Sequence, residues 1–124
     1  MPYQYILANL LAEAEHSVGV VFVDEEGETV DASAQSSTDV DLRVTAAYLG
    51  IYARHVVSLT RDFGLGSPRL LYVERNGLTV LACVLRAGYV LGLVQHGTNG
   101  VGAAERSVLR AAEDLERTVL QGLE

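Results

Sequence analysis

Three arginines, Arg43, Arg54 and Arg61, are the residues of this chain best spaced to act together. Their separations of eleven and seven positions place them within about 20° of one line if the segment is helical. A guanidinium offers a fork of donors that suits a carboxylate or phosphate, so the line reads either as a partner-facing stripe or as a solvated basic one. Ala47 and Gly50 lie on the same line and permit another backbone to come close. Were two copies packed antiparallel, Arg61 of one would approach Asp39 and Asp41 of the other, and Arg43 would approach Asp62. Other reactive types are dispersed. His16 and His96 read as element ends facing water, and none of the histidines has a second ligand at metal-binding spacing. The carboxylates Asp24, Glu25 and Glu26 read as a solvated hairpin tip. Ser33, Ser36 and Ser37 lack a histidine at a recognisable spacing. Gly97-Thr98-Asn99-Gly100-Val101-Gly102 lacks the Gly-Lys-Ser/Thr ending of a nucleotide loop and reads as a connection. No enzyme, cofactor or metal site is expected.

The arginine line belongs to a long segment, Thr38 to Phe63, that is apolar on two sides. At 100° per residue Leu42, Ala46, Leu49, Ala53, Val56 and Phe63 form one stripe. Val44, Tyr48, Ile51, Tyr52, His55 and Leu59 form a second. A monomer that buries the first leaves the second exposed, which predicts an assembly surface. Arg43, Ala47, Gly50, Arg54 and Arg61 are candidates for a dimer seam, with Tyr48, Ile51, Tyr52, His55 and Leu59 facing a further partner. His55 shares the stripe of the two tyrosines and stays open between interface and solvated surface. On this reading Gly50→Trp gives a folded monomer. Thr38 with Asp41 resembles a capping box at the start of the segment, and Gly64 closes its end.

Composition narrows the class. The chain of 124 residues fits one domain, residues 1–124, with 49% hydrophobic and 20% charged residues arguing against disorder. No apolar run approaches the roughly 20 residues that span a bilayer, and Met1-Pro2-Tyr3-Gln4 is not a basic leader start. A cytoplasmic protein is expected. The net charge of −7 disfavours nucleic acid and anionic membrane as partners. Cys83, inside the apolar run Leu78 to Leu85, reads as a small buried hydrophobe.

The elements follow the order α-β-β-α-β-β-β-α. Tyr3, Ile6, Leu7, Leu10, Leu11 and Ala14 mark an amphipathic opening helix, and Val101 to Leu120 a closing one. Val18 to Asp24 is apolar throughout, as a strand covered on both faces requires, whereas Glu28 to Ala34 alternates and suits a sheet edge. Arg69 to Glu74, Leu78 to Leu85 and Tyr89 to His96 form a meander turning at Asn76-Gly77. Placing the two apolar strands centrally predicts an α+β fold. It has one five-stranded antiparallel sheet of order 2-1-5-4-3, with the first and last helices on one face and the middle helix on the other. The third strand is then an edge that is apolar on both faces, and Leu71 and Val73 join the expected dimer interface.

This pattern resembles the roadblock family, named after dynein light chains and including bacterial regulators of the MglB type. It is carried by the Val20-Val21-Phe22-Val23-Asp24-Glu25-Glu26-Gly27 hairpin, the long helix after Ser36-Ser37 and the Asn76-Gly77 meander before the last helix. The resemblance implies a non-catalytic homodimeric adaptor that joins through the middle helix and third strand. Its partner would be a small Ras-like GTPase or a sister roadblock subunit, as in bacterial polarity or motility signalling. Two alternatives stand beside it: a scaffold subunit without effect on nucleotide turnover, and a small-ligand sensor of similar helix-on-sheet build.

Overall fold

The computed structural model describes residues 2–35, 41–66, 69–75, 77–97 and 101–118. Helix α1 (Pro2–Glu13) leads into β1 (Ser17–Val23) and β2 (Thr29–Ala34). Helix α2 (Leu42–Asp62) follows, then β3 (Leu70–Arg75), β4 (Leu78–Val84), β5 (Val90–His96) and helix α3 (Val101–Thr118). The five strands form one antiparallel sheet of order β2-β1-β5-β4-β3, as the strand patterns predict. Every residue of the central strand β1 is buried, while β2 alternates between exposed and half-buried. Arg75 pairs with Leu78, so the meander turns on two residues, and the second of them, Gly77, takes the positive φ such turns demand.

Alternation along the strands divides the core into two layers. Val20, Phe22, Leu81, Leu91 and Leu93 face α1 and α3, packing with Leu7, Leu10, Val108 and Leu115. Val21, Val23, Ala82 and Val90 face the other way, against Ala46, Leu49 and Ala53 of α2. Where α2 crosses the sheet, Gly92 leaves a notch: a Cβ there would lie 2.5 Å from Leu49 Cδ2, so the leucine fills the space a side chain would take.

Helix α2 starts later than the capping-box pattern predicts. Asp41 is itself the N-cap, and its carboxylate accepts the Arg43 and Val44 amides at 3.0 and 3.3 Å. Thr38 lies outside the described residues. The C-terminal end matches expectation: Gly64, at φ 66°, bonds back to the Arg61 carbonyl and Leu65 to that of Thr60. Phe63 departs from it. Expected in the buried stripe, it is 72% exposed, because as the C-cap it has left helical geometry and the 100° periodicity no longer places it.

Cys83 is fully buried in the α1/α3 layer. Burial pushes its thiol up from the ordinary 9.0, with Glu116 adding to the rise and Arg69 opposing it. A protonated, enclosed thiol is a poor nucleophile. Ellman-type titration is expected to find no reactive thiol in the native protein and one per chain in denaturant; native labelling at the denatured rate would contradict this placement.

Candidate functional site

The second apolar stripe of α2 is exposed, as its periodicity predicts: Tyr48, Ile51, Tyr52 and Leu59 are 56, 41, 49 and 55% exposed, and His55 is exposed beside them. The tyrosine rings stack, with centroids 6.4 Å apart. They do not stand alone on the helix. Thr45, Tyr48, Leu49 and Tyr52 form one wall of a groove of about 380 Å³ whose other wall is Val73, Leu78 and Val80. The β3–β4 register explains the second wall, since Val73 stands opposite Val80 on the face toward α2. Val73, assigned from sequence to the edge strand, thus meets the tyrosines. Leu71 is half-buried against the α2 layer of its own chain. Thr45, Leu78 and Val80 were not among the expected site residues, although the Asn76-Gly77 turn fixes the register that brings the two strand residues there.

The arginine line lies on the opposite flank of α2 and is engaged by the chain's own β1–β2 turn. Asp24 organises that turn, its carboxylate accepting the Glu26 and Glu28 amides at 2.9 Å each. Gly27 completes it at φ 85°. Arg54 Nη1 donates to the Glu26 carbonyl at 3.3 Å, and Gly50 packs so tightly on Gly27 that a Cβ at Gly50 would come within 2.8 Å of the Gly27 Cα. Gly50 is therefore buried within its own chain. Of the three carboxylates expected at a solvated tip, Asp24 instead caps the turn from within, while Glu25 and Glu26 are exposed as expected. Arg61 bonds Ser58 Oγ at 3.1 Å and lies 3.6 Å from Asp62, while Arg43 and Ala47 are exposed. Asp39, one acidic partner suggested for Arg61, is outside the described residues. The two flanks of α2 therefore differ: one is aromatic and open, the other polar and tied to the hairpin.

A further ionic cluster escaped the sequence reading. Glu116, nearly buried on α3, accepts the Arg86 amide at 3.1 Å and lies 3.4 Å from Arg69 Nη2 and 3.8 Å from Arg86 Nε. It ties the last helix to the start of β3 and the β4–β5 turn. Its partners lie 47 and 30 positions away, beyond any local pattern. Among the described residues no three His, Cys, Asp or Glu side chains form a metal-binding group, and no helix is long and apolar enough to cross a membrane.

No protein-family model matches the sequence, and neither does any curated protein. Solved structures do match the fold. The gliding protein MglB of Thermus thermophilus superposes with a TM-score of 0.84 at 16% identity, covering 97% of this chain and 90% of that one. MglB of Myxococcus xanthus gives 0.83 at 14% identity, with 94% of each chain covered. A Roadblock/LC7 domain from Streptomyces avermitilis gives 0.72 at 13% identity, covering 94% of this chain and 96% of its own. The chain has the roadblock fold. In this chain the open groove and the hairpin-tied flank occupy opposite sides of α2.

Proposed function

We propose that this chain is a non-catalytic adaptor that pairs with a second copy through the Tyr48, Tyr52 and Val73 side of α2. The paired α2 helices then present Ile51, His55 and Leu59 to a small Ras-like GTPase or a sister roadblock subunit. One observation supports this reading above others: an aromatic, apolar groove opens between a helix and an edge strand, where covering side chains would bury Tyr48, Tyr52 and Val73 together. Exposed aromatics clustered beside a free strand edge suit an isologous interface, because the same patch serves both partners. The arginines take a different role from the dimer seam that spacing alone suggested. Arg54 holds its own turn, which leaves Arg43 and Arg61 to orient an acidic partner.

Sedimentation or light scattering is expected to give a dimer at micromolar concentration, and Tyr52→Glu a folded monomer, because the residues described as lining that groove are uncharged and burying a carboxylate among them is costly. A monomeric wild type sinks the dimer. Purified protein alone is expected to hydrolyse neither GTP nor ATP. Any effect on turnover then requires an added Ras-like GTPase and disappears in Tyr52→Glu; turnover by the chain alone would refute the non-catalytic role.

A further inference from the structure

Among the described residues the sheet ends in two edge strands, and the adaptor reading uses β3. The other is β2. The Gln35 amide bonds to the Val18 carbonyl at 3.0 Å, while Ser33 and Asp31 stand opposite Val20 and Phe22. Amides alternate in direction along an antiparallel strand, so residues 31, 33 and 35 face β1, and Ala32 and Ala34 turn their N–H and C=O groups out of the sheet. Val30, Ala32 and Ala34 are also exposed, and none has the bulk to hold a neighbouring strand away. Such a run is a ready template for another strand.

One contact closes it. Asp31 Oδ1 accepts the Ala32 amide at 2.8 Å, so the outward donor in the middle of β2 is occupied by the residue before it. A strand approaching this edge has to displace that carboxylate. In two copies related by a two-fold axis through the run, both carboxylates would be brought together, and like charges set opposite one another on paired strands are unfavourable.

We infer that the β2 edge is a second self-association surface, fitted to another copy of this chain and kept closed by Asp31. The occupant follows from what the run offers. Small apolar side chains at alternate positions complement themselves across an antiparallel two-fold, and besides the Asp31 carboxylate the run from Val30 to Ala34 carries no charge or ring with which to select a foreign segment. Opening β2 in a chain that also pairs through β3 gives each copy two joining edges, and assembly then fails to close. That fibre rests on the dimer proposed above; the β2 pairing does not.

The test compares wild type, Asp31→Ala and Asp31→Asn by light scattering over one concentration series, with circular dichroism confirming an unchanged fold. Asp31→Ala is expected to at least double the wild-type mass. Asp31→Asn keeps an oxygen acceptor for the Ala32 amide and is expected to assemble less than Asp31→Ala. In a Tyr52→Glu background, Asp31→Ala is expected to convert monomers to dimers and go no further. An unchanged mass for Asp31→Ala in both backgrounds overturns the inference. A monomeric wild type whose Asp31→Ala variant dimerises overturns the β3-side dimer and leaves this surface standing.

Discussion

Gly50→Trp is expected to unfold this protein, or at least tear α2 from the β1–β2 hairpin, and not to yield the well-folded monomer that its helical position suggests. Even a methyl group at Gly50 would sit 2.8 Å from the Gly27 Cα, closer than real Cβ contacts come. Backbone stands on the far side of that contact, so no rotamer change relieves it. Gly50→Ala gains up to about 1 kcal/mol of helix propensity and loses about 1–3 kcal/mol to overpacking, for a net loss of about 1 kcal/mol. An indole cannot be accommodated without moving the turn, which also removes the Glu26 carbonyl from Arg54. Against a total stability of about 5–15 kcal/mol, the large ring consumes most of what is available. Thermal melts followed by circular dichroism check both variants. A Gly50→Trp protein melting within a few degrees of wild type would mean that the turn yields freely and that Gly50 is available to a partner after all.

Gly50 also shows what the sequence could and could not convey. Periodicity places it correctly on a line with Arg43, Ala47 and Arg54, and a small residue on such a line does imply a close approach. What approaches is fixed by the position of Gly27, 23 residues earlier, and helical angle carries no information about that. The strands were more legible because burial on one or both faces writes itself into alternation: β1 reads as central and β2 as an edge without reference to anything distant. Turn chemistry fixed the β3–β4 register, and with it the pairing of Val73 with Val80. Glu116 is the opposite case, a carboxylate that reads as surface charge on α3 until Arg69 and Arg86 are brought to it by the fold. The exposed apolar face of α2 was legible as a stripe of tyrosines. Its second wall became visible once the side of α2 that looks toward β3 was known.

Leu49→Ala is expected to cost about 3 kcal/mol and to loosen α2 selectively. Among the buried side chains through which α2 meets the sheet, Ala46 and Ala53 are small, and Leu49 is the large one, seated in the notch at Gly92. The opposite layer has leucines from α1, α3, β4 and β5 together with Phe22. Truncating a buried leucine typically costs about 2–5 kcal/mol, more where the site cannot collapse, and a backbone notch between paired strands has little freedom to close. The two layers therefore differ in redundancy. In hydrogen exchange, α2 amides of Leu49→Ala are expected to lose protection while those of β1 and β5 keep theirs. A thinly held helix is also one that a partner can stabilise: in the proposed pairing, covering Tyr48 and Tyr52 buries apolar surface on the same helix, so that pairing predicts a loss that shrinks as protein concentration rises. A loss below about 1 kcal/mol, or equal deprotection of α2 and the central strands, would show that the alanines and the half-buried Leu42 hold the helix without Leu49.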